Sequence, residues 1–353
     1  MKMVVYVILL IAIAVVIALV LLWMKSPGVS KPIPESDTSI STIETVELGG
    51  LDQSVIIRGV DANKPVMLFL HGGPGSPEVA FVRYFNPDIE KDYVMVYWEQ
   101  RGAGKSYSAS IDPSTMNVEQ LISDTRELSE YLIRRFNRDK IFVMGHSWGS
   151  FLGILTAYHY PELFHAYIGI GQVCDQFKGE QLSYDWTLNQ AMERNDRKAI
   201  TMLQKLNFPD TTAAIDEWID YVMVERRYVN RYGGGTTRGI TTMWPLVKIV
   251  MNSEFYTLSE KMNFMKASMF SLKTMWLEVV NTNLFAAIDS MQVPVYIFHG
   301  QSDYTTPYPL AREFYDQLRA PQKAFFSFEH SAHSPILEEP EKFNSLLNEI
   351  LAK

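Results

Sequence analysis

Four short stretches of the 353-residue chain carry residue types suited to attack on a carbonyl. The first is Gly145-His146-Ser147-Trp148-Gly149, entered from the apolar run Ile141-Phe142-Val143-Met144. A serine hydroxyl is a weak nucleophile at neutral pH and needs an adjacent base, itself oriented by a carboxylate. Small residues on both sides of Ser147 let a strand end and a helix start approach closely in a sharp turn. Such a turn pushes the hydroxyl out above the sheet edge and leaves the Trp148 amide at a helix N-terminus. An ordinary tight turn with an exposed serine would look the same, so the partners decide. Asp303 follows the apolar run 293–299, and His333 follows the run 324–328. The fourth stretch, His71-Gly72-Gly73-Pro74-Gly75, follows the run 65–70. Its Gly72 and Gly73 amides are unencumbered donors, suited to form half of an oxyanion site completed by the Trp148 amide.

Competing assignments are weaker. His330 is the other possible base, but His333 lies further into its loop; Asp289 is the other possible acid, but it precedes its strand. His330 and His333 have ligand-like spacing without a third ligand, so no metal is expected. The lone Cys174 supports neither a disulfide framework nor a cysteine zinc site. Gly102-Ala103-Gly104-Lys105-Ser106 imitates a phosphate loop, yet that loop needs glycine where Glu99 stands. Gln100 and Arg101 are better read as braces for neighbouring loops. His71 and His146 flank the two turns and are read as structural. The net charge of −8 argues against a nucleic-acid partner.

The elements that must position these groups are legible as alternation. Buried-type apolar runs at 65–70, 93–98, 141–144, 166–170, 293–299 and 324–328 are separated by helical patterns such as 118–136, 149–160 and 309–318. That order predicts an α/β fold with a mostly parallel central sheet flanked by helices, with 43–48 and 54–60 as an antiparallel hairpin ahead of it. In a parallel sheet the loops after the strands lie at one edge, so Ser147, Asp303 and His333 should meet there. Between 175 and 289 strand-like runs stop and helical patterns follow one another (183–194, 212–229, 260–274), which predicts an inserted helical cap. Its Trp186, Met192, Met223, Trp244, Met265, Met269 and Trp276 are core-type residues, some of which should line a pocket against the sheet. The glycine-rich stretch 226–235 reads as a solvated connection, with a mobile lid as the alternative. The expected division is 1–25, 26–42, a core of 43–174 with 290–353, and the cap.

The N-terminus adds a separate element. Val4 to Trp23 is uncharged, and its 20 residues would span roughly 30 Å as a helix, the thickness of a bilayer core. A cleaved signal has a shorter apolar region, and Gly28-Val29-Ser30 is a poor cleavage site. A single-pass N-terminal transmembrane anchor is therefore expected, with the Ser- and Pro-rich 26–42 as a tether. Flanking positive charges are balanced, and the reading places the short tail inside and the large domain extracytoplasmic.

These motifs together resemble the serine α/β-hydrolases and, within them, the proline iminopeptidase group. The resemblance rests on His71-Gly72-Gly73-Pro74-Gly75, Gln100-Arg101-Gly102-Ala103-Gly104-Lys105-Ser106, Gly145-His146-Ser147-Trp148-Gly149-Ser150, Gly300-Gln301-Ser302-Asp303 and Ala332-His333-Ser334, and covers residues 43–353. The order Ser, Asp, His also differs from the chymotrypsin and subtilisin orders. The resemblance implies Ser147 as nucleophile, His333 as base, Asp303 as its orienter, and Gly73 (or Gly72) with Trp148 as oxyanion donors. It implies no cofactor, and Ser147 excludes an aspartate nucleophile. Glu99 stands where that group usually has Asp. The group also has cap glutamates that hold the substrate's free α-amine; the candidates in this chain are Glu217, Glu225 and Glu278. The expected substrate is a small peptide losing its N-terminal residue. A carboxylesterase or lipase on apolar acyl esters is the alternative, and a non-catalytic binding protein on the same fold is the third reading.

Overall fold

The computed structural model describes residues 2–34 and 37–351. Met1, Glu35, Ser36, Ala352 and Lys353, which belong to the expected anchor, tether and core, lie outside the described residues. The chain opens with helix α1 (Lys2–Met24), long and apolar enough to cross a membrane by length and composition. Strands β1 (Ile40–Leu48) and β2 (Leu51–Gly59) form an antiparallel hairpin. Next come β3 (Val66–Leu70), α2 (Val79–Phe85), β4 (Val94–Glu99), α3 (Val118–Phe136), β5 (Ile141–His146), α4 (Trp148–His159) and β6 (Phe164–Ile170). Helices α5 (Gln176–Glu193), α6 (Arg197–Leu203), α7 (Ile215–Arg231), α8 (Trp244–Asn252), α9 (Leu258–Asn281) and α10 (Leu284–Ala287) then intervene before the sheet resumes. It closes with β7 (Val295–Gly300), α11 (Tyr308–Gln317), β8 (Lys323–Phe328), α12 (Pro335–Glu338) and α13 (Pro340–Leu351).

The eight strands are ordered β1-β2-β4-β3-β5-β6-β7-β8, antiparallel as far as β4 and parallel from β4 to β8. Alternate residues of each central strand serve opposite faces, as the period of two demands. Val66, Leu68 and Leu70 of β3 pack with Leu128 and Leu132 of α3 and Phe151 of α4, while Met67 and Phe69 pack with Val82 of α2 and Phe343 of α13. Both faces are thus covered, and the functional loops remain only at the carboxyl edge of the strands.

The stretch after α1 departs from the expected free tether. β1 begins at Ile40, inside it, and residues 26–31 lie along the α8–α9 connection. Pro27 bridges Thr257, Val29 N–H donates to Glu254 O (2.9 Å), and Lys31 pairs with Glu254 (2.6 Å). The Lys261 ammonium donates to Lys25 O, Ser26 Oγ and Met251 O, each at 3.0 Å. It therefore places a positive charge on the carboxyl ends of both α1 and α8, the favourable pole for a cation. On the other side the Arg58 guanidinium binds Ser30 Oγ, Lys31 O and Ser41 Oγ. Serine and proline composition suggests solvation, but these are hydrogen bonds to backbone and hydroxyl groups, which leave no apolar period to read.

Candidate active site

β5 runs into α4 through Ser147, whose φ of 55° and ψ of −122° are unusual for a residue with a side chain. The flanking glycines explain why the turn closes. A Cβ on Gly145 would lie 2.0 Å from Gly149 O, and one on Gly149 would lie 2.0 Å from Leu70 O. Ser147 N–H donates to Ile170 O (2.9 Å), while Trp148, as the first residue of α4, has no intrahelical acceptor for its own N–H.

Asp303 sits in the loop after β7 and is fully buried. Its Oδ1 accepts the Thr305 and Thr306 amides (2.8 and 2.9 Å), and its Oδ2 accepts Thr306 Oγ1 and His333 Nδ1–H (both 2.8 Å). Burial would raise its pKa, but the His333 and His299 rings and these donors hold it well below the usual carboxylate range. His333 comes from the loop after β8, and its Nε2 is buried with no hydrogen-bond partner, Ser147 Oγ included. Such pairs commonly tighten only when substrate binds. Burial lowers the pKa of His333, and Asp303 only partly offsets this. His330 is exposed and Asp289 pairs with Arg319 on the surface, so neither competes.

Two histidines outside the sequence-based triad support it. Gln172 N–H donates to His299 Nδ1 (3.2 Å), leaving the Nε2 proton to Thr306 O (2.8 Å) and Asp303 Oδ2 (3.2 Å). His146 faces two acceptors, Glu78 Oε1 at Nδ1 (2.7 Å) and His333 O at Nε2 (3.0 Å). Burial would lower its pKa, but the Glu78 carboxylate outweighs it and the net shift is upward. The His146 ring lies 4.8 Å from that of His333, so its charge disfavours a second one there.

The glycine loop after β3 faces Ser147 across the same cavity. Gly72 N–H donates to Glu78 Oε1 (3.4 Å). Gly73 lines the cavity with Ser147 and Trp148. Gln100 ties the two turns together: Nε2–H donates to His71 O (3.2 Å) and Oε1 accepts Trp148 Nε1–H (2.8 Å). Arg101 pairs with buried Asp124 (2.8 Å) and binds Leu48 O and Gly49 O, bracing the hairpin. Glu99 is buried against Tyr256 OH and the Lys105 amide, with burial pushing its carboxyl up to about 7.

Comparison with known proteins agrees with this fold. The family model for the alpha/beta hydrolase fold matches residues 65–340. A probable aminopeptidase, YbaC of Bacillus subtilis, is 32% identical over 317 residues, covering 90% of this chain and 98% of that protein. The chain belongs to the α/β-hydrolase family. A proline iminopeptidase of Clostridium botulinum is 26% identical, over 84% of this chain and 93% of its own. Among solved structures, the proline iminopeptidase of Mycobacterium smegmatis superposes with a TM-score of 0.63 at 16% identity, covering 88% of this chain and 98% of its own. An esterase from Exiguobacterium antarcticum gives 0.57 at 16% identity over 89% and 100%, so the fold alone is common to both activities.

In this α/β-hydrolase the cavity above Ser147 is about 250 Å³ and is roofed by α5, α7 and α9. Its walls are mostly apolar, from Met223, Met265, Met269, Leu272 and Trp276. Arg226 is the one charged side chain lining it among the described residues. Behind Arg226 lie two fully buried carboxylates, Glu180 and Glu225, each bonded to its guanidinium. Glu180 Oε1 also accepts Gln176 Nε2–H (2.6 Å), while its Oε2 is buried without a partner. Burial pushes Glu225 up to about 7. The other two expected glutamates are elsewhere. Exposed Glu217 accepts the Ala214 amide within the first turn of α7, and exposed Glu278 accepts Val118 N–H in a surface groove. Glu180 was not found from sequence because it lies on a helix face that is polar and buried together, with Gln176, Ser183 and Thr187.

The stretch 226–235 is pinned, not free. Gly234 O accepts Tyr304 N–H (2.9 Å) beside Asp303, and Gly235 O accepts the amide of His333 itself (3.2 Å). Trp186 of α5 stacks on Tyr304 with ring centroids 4.1 Å apart and closes over Gly234.

Proposed function

We propose that this chain is a serine hydrolase that removes N-terminal residues from small peptides through an acyl-enzyme. Ser147 attacks the carbonyl as His333 Nε2 takes its proton, and Asp303 holds the imidazole in the tautomer this requires. The oxyanion forms between the Gly73 and Trp148 amides, where one such donor typically contributes about 2.7–4 kcal/mol. His333 then returns its proton to the leaving amine, and water, deprotonated by the same ring, releases the acyl group. No cofactor is required.

The observation that carries the aminopeptidase reading is the acidic surplus beside the cavity. Two carboxylates share one guanidinium, and a buried Glu180 oxygen has no donor, so an ammonium that displaced Arg226 from the cavity wall would be paired there. The apolar walls favour the second reading, an esterase for apolar acyl groups. Three substrates separate them: prolyl-4-nitroanilide, its N-blocked form and a short p-nitrophenyl ester. The expected result is turnover of the free amine and not of its N-blocked form, abolished together with fluorophosphonate labelling in Ser147→Ala, and a KM for the free amine raised about tenfold or more in Glu180→Gln with little change in any turnover of the ester. Equal turnover of blocked and free amines would discard the aminopeptidase in favour of the esterase; an unlabelled wild type would sink both. We also read α1 as an uncleaved membrane anchor, because the residues after it are built into the protein's surface. Sedimentation of the full chain with membranes, reversed only by detergent, is the expected behaviour.

A further inference from the structure

α9 connects the end of α1 to the cavity above Ser147, and along it two methionines are exposed, with the exposed Lys266 beside them. Lys261 fixes the point of exit, since its ammonium binds Lys25 O and Ser26 Oγ directly after the apolar stretch. Met262 is the next residue of α9 and is 70% exposed. Met265 is 57% exposed and already lines the cavity, and Met269 lines it further along the helix. Spacings of three and four place these three side chains on one stripe. Lys261 to Met269 is eight residues, roughly 12 Å of helix at 1.5 Å each. The cavity-lining end of this stripe is therefore about 12 Å along α9 from the lysine that binds the end of α1. The headgroup zone on each side of a bilayer is itself about 5–8 Å deep.

A second element lies beside the same exit. α8 is held by the same ammonium through Met251 O, and at its other end Met243 and Trp244 are 55% and 63% exposed. Lys248 sits over the Trp244 ring, 5.7 Å from its centroid. Tryptophan with lysine is the pairing that interfacial helices present to headgroups. Single exposed methionines are ordinary on a soluble surface. A run of them that starts at the end of an apolar helix and finishes inside a reactive cavity is not explained by solvent.

We propose that the cavity faces the bilayer holding α1, and that the Met262–Met265–Met269 stripe admits amphiphilic substrates whose tail stays in the membrane while their scissile carbonyl reaches Ser147. This rests on α1 being an anchor and on the hydrolase reading above. The bond broken is the acyl bond next to the polar end. The acyl carbon passes to Ser147 Oγ and then to water, and the tailed amine or alcohol leaves with the proton from His333.

The test uses the full chain in phosphatidylcholine–phosphatidylglycerol vesicles. Cys174 is buried, so a single introduced cysteine can be spin-labelled selectively. Met262→Cys is compared with Gln317→Cys, which is exposed on α11 at the far end of the sheet from β1. Relaxation by oxygen should dominate at 262 and relaxation by an aqueous nickel chelate at 317. In parallel, Met262→Glu should keep the kcat/KM of water-soluble prolyl-4-nitroanilide and lose at least fivefold on prolyl hexadecylamide dissolved in the vesicles. Protein that does not float with the vesicles overturns the anchor and the proposal together. Floating protein with residue 262 as aqueous as 317 overturns the proposal and leaves the anchor standing. A label in lipid with equal effects of Met262→Glu on both substrates overturns the substrate route. If the Met262→Cys label lies in lipid as expected but the wild type turns over neither substrate, the hydrolase reading fails and the substrate route falls with it.

Discussion

At the scale of single residues, the site is an arrangement for keeping one carboxylate charged and one imidazole neutral. Asp303 has every near neighbour donating to it, and in Asp303→Asn an amide would face Thr305 N–H or His333 Nδ1–H with a donor of its own. The wrong tautomer of His333 would then be favoured, and kcat is expected to fall by about 10⁴ in steady-state assays, the loss known for this change in other triads. The pH profile follows from the lowered pKa of His333. Activity requires the neutral ring, so kcat/KM should rise with pH through an acidic limb centred below 6.5, the ordinary histidine value. Glu78→Gln removes the carboxylate that raises the pKa of His146, so less positive charge faces His333 and that limb should move to higher pH. A limb that stays put would dissociate His146 from the proton balance of the site.

At the scale of elements, the turn between β5 and α4 tolerates nothing beyond hydrogen at its two glycines. Gly149→Ala drives a methyl into Leu70 O, and overpacking of this kind costs about 1–3 kcal/mol or more, read as a lower Tm by circular dichroism. This turn was legible in the sequence because its requirement is local, and so were the central strands, whose whole length is apolar. The placement of Ser147, Asp303 and His333 at one sheet edge followed from the order of those strands. The roof of the site was not legible in the same way. α5 begins at Gln176, well before the 183 expected, because the face it buries is Gln176, Glu180, Ser183 and Thr187. α6 and α8 are short, and no apolar period announced them. Burial of polar residues is decided by partners that are distant in the chain, here Arg226 with Glu180 and Glu225, and a hydrophobic period cannot report it.

At the scale of the molecule, one buried lysine joins the N-terminal helix to the rest. Lys261→Met would keep the stem and remove the charge, leaving Lys25 O, Ser26 Oγ and Met251 O without their donor. Residues 26–31 should then detach, and trypsin should cut the Lys25–Ser26 bond at least fivefold faster than in the wild type, with the hydrolase core still folded by circular dichroism. An unchanged digestion rate would mean that Arg58 and the Pro27–Thr257 bridge suffice. The cap raises a different issue through the carbonyls of Gly234 and Gly235, which grip the loops of Asp303 and His333. In a chimera that exchanged 176–287 for the same interval of a relative, the grip would be replaced along with the pocket walls. Selectivity and turnover are expected to change in one step, because the segment that lines the cavity also bonds the backbone amides of Tyr304 and His333. For laboratory evolution this molecule is therefore a single unit, in which a new preference has to be selected together with a rebuilt catalyst.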